Sequence, residues 1–173
     1  YVRLDALLDT GYDDFMTGTM EAEFGQMREN SAALEDFSKM LKPAFVQMLK
    51  EAVDTRLTTG EWPSADPSED GTDAENILSR IGVRDLTFRE IANLTQNDEA
   101  QTAEAEVVVH QEEANTDFAF KILLTPSDEG TWQVVAIQNL QEYALVLEKA
   151  RRLRVEAYLE ETDAILARHE QTI

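Results

Sequence analysis

The sequence predicts an α+β fold in which N-terminal helices pack on a four-stranded antiparallel meander, followed by a long C-terminal helix. Apolar residues recur every three or four positions through the first third of the chain, the period of one helix face. Between Val83 and Gln138 the period falls to two, with short turn-forming stretches between the runs, as in antiparallel strands joined by tight connections. From Asn139 to Arg168 neither proline nor glycine intervenes. The expected organisation is a single domain over residues 1–173, with a helical part at 1–59, an acidic loop at 60–76, the sheet at 83–138 and the long helix at 139–170. A chain of 173 residues is long enough to bury one sizeable core.

Leu4, Leu7 and Leu8 give a first apolar face that Gly11 is expected to interrupt, and Phe15, Met16, Met20, Phe24 and Met27 resume it. Gly18 and Gly25 weaken that second stretch, because glycine inside a helix costs about 1 kcal/mol relative to alanine. Asn30-Ser31 opens the next helix, with apolar positions at Leu34, Phe37, Leu41, Ala44, Phe45, Met48, Leu49, Ala52 and Val53. Pro43 predicts a kink there, or two helices meeting, since it offers no N–H. Gly60 closes the segment.

The loop at 60–76 holds Pro63, Pro67, six acids and no base, a solvated composition. Thr72 and Glu75 have the spacing of a capping box, followed by a short helix with Ile77, Leu78 and Ile81 that Gly82 ends. Leu86, Phe88, Ala92 and Leu94 alternate along the first strand, Ala103, Ala105, Val107 and Val109 along the second, and Phe118, Phe120, Ile122 and Leu124 along the third. Thr131–Ile137 make the fourth, with turns at 96–99 and 126–130. Asn139 is the expected N-cap of the last helix, with Glu142 three residues on. Leu140, Tyr143, Leu147 and Ala150 stripe its first half, and beyond Leu153 the stripe drifts. About 30 residues span roughly 45 Å, so the far half is expected to project, bend back or meet a partner.

Fifteen bases against 35 acids give a net charge of −20, which argues against nucleic acid and anionic lipid surfaces as partners. Without cysteine there is no disulfide, thiolate nucleophile or cysteine-bound metal. No apolar run approaches the ~18 residues of a membrane span. The start at Tyr1, without a basic and then apolar leader, suggests a trimmed piece of a longer protein.

Few motifs carry chemistry. Asp66-Pro67-Ser68-Glu69-Asp70-Gly71 resembles the opening of an EF-hand loop, but Asp73 and Ile77 stand where an apolar residue and a bidentate glutamate belong, so a plain acidic loop is preferred. His110 follows Val107-Val108-Val109 on the face opposite Val107 and Val109; as a general base it would need a carboxylate, and spacing identifies none. His169 suits a helix C-terminus. Acidic pairs such as Glu112/Glu113 are too numerous to inform, and Asn93-Leu94-Thr95 fits a glycosylation sequon inside a strand. Neither a phosphate loop nor a nucleophile elbow occurs. Lys149, Arg151, Arg152 and Arg154 form a basic collar. From residue 140 onward five bases face seven acids, so −18 of the charge lies in residues 1–139, and the collar is expected to dock on the chain's own acidic body or on an acidic partner. Met16, Met20, Met27, Met40 and Met48 suit ordinary core or an adaptable groove.

Helices ahead of a meander that ends in Gly130-Thr131-Trp132-Gln133-Val134-Val135-Ala136-Ile137 resemble the nuclear-transport-factor-like α+β cone superfamily. Leu4–Asp14 with Gly11 and Tyr12-Asp13-Asp14-Phe15 resemble more closely its bacterial extracytoplasmic and lipoprotein-attached members of unassigned function. The resemblance spans about residues 1–138 and departs at the long final helix, which is able to plug the cone. Catalytic members use an Asp–His or similar dyad, and none maps onto this sequence. The expected function is therefore a non-catalytic binding or interaction domain of a bacterial extracytoplasmic protein, with no cofactor or metal and with an unidentified protein or small molecule as partner. The alternatives are self-association through the long helix, giving a homodimer, and a small-molecule enzyme using a cone-shaped pocket with His110.

Overall fold

Alternating side chains from residue 86 onward form one antiparallel sheet whose strands lie in chain order, β1 (Leu86–Asn97), β2 (Thr102–Gln111), β3 (Thr116–Pro126) and β4 (Trp132–Ile137). Helices α1 (Leu4–Phe24) and α2 (Ser31–Thr59) precede it and α3 (Leu140–Glu170) follows, so the expected α+β layout holds. A computed structural model describes residues 4–24, 31–63 and 78–170. Gly25, Met27, Asn30, the acidic loop from residue 64, its calcium-like run, the Thr72/Glu75 capping box and Ile77 lie outside the described residues.

The core gathers on one face of the sheet. Val109, Phe120, Tyr143, Ala144, Leu147 and Phe15 are buried together, with Val107, Phe118, Ile122 and Ile137 packed against them. Phe118 and Phe120 each set a ring edge or tilted face against Tyr143, at centroid separations of 5.4 and 5.0 Å. Such aromatic contacts add to the area they bury. The registers Val107↔Phe120 and Val109↔Phe118 bring the apolar sides of β2 and β3 to this one layer.

Four local expectations are corrected. Gly11 does not interrupt α1, which runs unbroken through Gly11 and Gly18. Of the two outcomes expected at Pro43, the meeting of two helices does not occur, since α2 runs through it; Pro43 lies on an exposed side of the helix, where the carbonyl it leaves without a helical donor can meet water. Asn139 does not cap α3 with its side chain. Its Oδ1 accepts from Lys121 N at 2.9 Å and its Nδ2 donates to Ala119 O at 2.8 Å, extending the β3–β4 ladder past the end of β4. Finally, the alternation along β1 breaks. Register shifts after Phe88 and after Ala92 insert extra residues, as β-bulges do, so Ile91 rather than Ala92 shares the core side with Val107. Phe88, Ile91 and Leu94 are exposed, because β1 is the edge strand that the helices do not cover.

Gly18 looked like a weakness in a helix and is instead a crossing point. A Cβ there would stand 2.6 Å from Gln141 O and 3.0 Å from Gln141 Cα, so only glycine lets α1 approach the backbone of α3 this closely. A Cβ at Gly11 meets only the tip of Leu140, at 3.0 Å. Gly18→Ala should therefore lower the melting temperature, since overpacking of about 1–3 kcal/mol outweighs the ~1 kcal/mol gained in helix propensity, whereas Gly11→Ala should be neutral or stabilising. Paired thermal melts check this, and an equal rise in both variants would contradict the close crossing.

Candidate functional site

The helices roof the sheet without filling the space beneath. A hollow of about 250 Å³ remains, walled by Tyr12 and Phe15 of α1, Phe45 and Val53 of α2, and Phe120 and Ile137 of the sheet. Trp62 closes it beyond the end of α2, where Gly60, at φ 79°, donates to Arg56 O and stops the helix. Leu140 and Tyr143 bring α3 to the wall, so the last helix bounds the hollow and leaves it open.

The wall's phenols are committed elsewhere. Tyr12 Oη donates to Ser38 O at 2.8 Å, tying α1 to α2. Lys42 reinforces that junction from the surface, with Nζ 2.7 Å from Asp13 and 3.0 Å from Asp9. Burial opposes the charge on Lys42, yet the two carboxylates hold its pKa above the usual lysine value. Tyr143 Oη donates to Ile81 O and accepts from Gln111 Nε2, both at 3.1 Å. The hollow is therefore an apolar, aromatic-walled space whose tyrosine hydroxyls already have partners. It suits an apolar guest better than water, which needs two to four polar contacts.

Behind Tyr143 lies a buried polar knot. Gln111, fully buried, also donates to Gly82 O at 2.9 Å and accepts from Glu113 N at 2.6 Å. Gly82 has φ 66°, and a Cβ on it would stand 2.8 Å from Gln111 Nε2 and 2.9 Å from Tyr143 Oη. The residue that ends the short helix, helical at residues 78–80, is thus also where three segments converge.

The basic collar sits about two turns further along α3. Arg151 donates to both carboxylate oxygens of Glu113 on the β2–β3 turn, to Glu148, and to the Ser79 and Arg80 carbonyls. Arg154 reaches Glu113 Oε1 at 3.4 Å and Glu113 O at 2.8 Å, and Arg152 reaches Ala22 O near the end of α1 at 2.7 Å. These contacts are with the chain's own body; Lys149 is exposed. Sequence reasoning missed Glu113 and Gln111, because their partners on other segments lie 29 to 41 residues away and no local period marks them.

His110 has a carboxylate after all. Asp117, its cross-strand neighbour in register, places Oδ1 2.7 Å from Nδ1, and Arg89 lies 4.0 Å from the same oxygen. The pair occupies the sheet face opposite Val109 and takes no part in the wall of the hollow. Among the described residues no three histidine, aspartate or glutamate side chains gather to hold a metal ion, and no helix is long and apolar enough to cross a membrane. Set against models of known families, curated proteins and solved structures, the chain gives no match in any of the three comparisons.

Burial raises the Tyr143 pKa above the ordinary tyrosine value. The folded chain therefore keeps this proton where the unfolded chain loses it, so the stabilisation is complete below pH ~10 and is lost as pH rises through the folded value. In an ultraviolet titration one phenol should ionise after the others, and Tyr143→Phe should remove that late component. The same variant should cost about 1–3 kcal/mol by leaving Gln111 and Ile81 O short of a partner. A Tyr143→Phe protein with unchanged stability and an unchanged alkaline titration would contradict the knot.

Proposed function

We propose that the protein is a non-catalytic binding module that holds a small apolar molecule between its opening helices and its sheet. The reading rests on one observation, the hollow of about 250 Å³ walled by Phe15, Phe45, Val53 and Phe120. An apolar cavity of about 150 Å³ accommodates benzene, so this space suits a ring bearing a short chain, roughly ten carbon atoms. Among the described residues the lining has aromatic and aliphatic surface to bind such a guest and no carboxylate or imidazole to attack it. The His110–Asp117 pair lies on the other side of the sheet, which favours binding over chemistry within the hollow. We further propose, from the resemblance to the α+β cone proteins, that the module belongs to a bacterial extracytoplasmic protein.

Trp62 lines the hollow and Trp132 sits on β4, and the chain has no third tryptophan. In a Trp132→Phe variant, titration with a brominated aromatic such as bromobenzene should quench Trp62 to saturation. The same probe should raise the melting temperature of the parent chain, as any guest that binds only the folded state must. Val53→Trp, measured by the thermal shift alone, should abolish the effect by filling the space. Linear, unsaturable quenching with no thermal shift would contradict the reading.

A further inference from the structure

Past Arg154 the last helix leaves the body that anchors it. Val155, Tyr158, Leu159 and Ile165 are 49–69% exposed. At 3.6 residues per turn, these four and Thr162 fall within about 120° of the helix circumference. That is an apolar seam on a helix with nothing packed against it among the described residues, and the charges beside the seam are ordered. Arg152 and Asp163 flank one side, and Arg154 and Glu161 flank the other.

We propose that this seam pairs with the same seam of a second copy of the chain, the two helices running antiparallel about a two-fold axis. In such a pair each flank meets the same flank of the other helix, and residues equally far from the axis on either side face one another. Facing Arg152 with the second copy's Asp163 puts the axis between Ala157 and Tyr158. Facing Arg154 with the second copy's Glu161, on the other flank, puts it at the same place. Two independent charge pairs therefore specify one register, and that register sets Val155 beside the second copy's Leu159 and the two Tyr158 rings at the centre.

In this register Glu161 and Ala164 of the second copy lie beside Arg154 and Arg151, where an open groove of about 650 Å³ lined by Ser79, Arg80 and Glu113 flanks the helix. Arg152 and Arg154 already touch the chain's own body. A guanidinium has five N–H donors, and the Arg154 side chain is 62% exposed, so each retains donors for a second carboxylate. Among the described residues neither Glu161 nor Asp163 has an ion-pair partner.

Charge reversal tests the register. Sedimentation velocity of the parent chain should show a reversible monomer–dimer equilibrium. Arg152→Glu with Arg154→Glu, and separately Glu161→Arg with Asp163→Arg, should each weaken it at least about tenfold by placing like charges opposite one another. An equimolar mixture of the two variants should recover a heterodimer, since all four facing pairs are then attractive. Bulk charge predicts otherwise. The Glu161→Arg/Asp163→Arg chain is less acidic than the parent and would dimerise more tightly if overall repulsion governed, and that variant disturbs none of the contacts that hold α3 to the body. A parent that stays monomeric at high concentration, reversals without effect, or a mixture that fails to recombine would each overturn the proposal.

Discussion

Two buried polar side chains hold the architecture in register. Gln111 at the end of β2 and Tyr143 one turn into α3 hydrogen-bond to each other and to the backbone at Ile81 and Gly82. A buried polar group without a partner costs far more than a made hydrogen bond returns, so these contacts specify position more than they add stability. They fix α3 relative to the sheet and bring the 78–82 segment under it. The apolar layer of Phe118, Phe120 and Leu147 then closes around the Tyr143 ring. With α3 fixed, α1 has one place to cross it, and Gly18 permits that crossing at backbone distance.

The same constraint accounts for the hollow and for the free helix end. Once α3 is fixed at Tyr143 and Arg151, its first turn forms one wall of a space that α1 and α2 cover from above. The side chains there are aromatic and aliphatic, and they meet around a void instead of filling it. Arg151 marks the other limit. Its bonds to Glu113, Glu148 and two carbonyls are the densest hold of the body on the later part of α3, and Arg152 and Arg154 add the last of them. Desolvation opposes the charge on Arg151, and the carboxylates of Glu113 and Glu148 more than compensate, holding its pKa above the usual value. Beyond Arg154 the helix has exposed apolar side chains with nothing packed against them among the described residues.

The layers of the fold were legible in the sequence because each rests on a local period. Ala103, Ala105 and Val109 face the core as their alternation required, and Gly60, Gly82 and Gly130 adopt the positive φ that ends a helix or turns a hairpin. What was not legible depends on contacts between distant residues. Two bulges shift β1 out of phase, a glycine spacing cannot distinguish a helix break from a helix crossing, and Asn139 fits a cap or a ladder extension equally well. The candidate site was less legible still. The hollow is a property of how three helices and a sheet fail to interlock, and the partner of His110 became visible only with the register of β2 on β3.

Native-state hydrogen exchange along α3 tests the central claim most directly, at a concentration dilute enough to keep the chain monomeric. If the Gln111–Tyr143 knot and the Arg151 clasp hold the helix, amides from about 144 to 151 should be as protected as those in the centres of β2 and β3, and protection should fall away beyond Arg154. Uniform protection along the whole helix, or a first half that exchanges well before β2 and β3, would contradict the account.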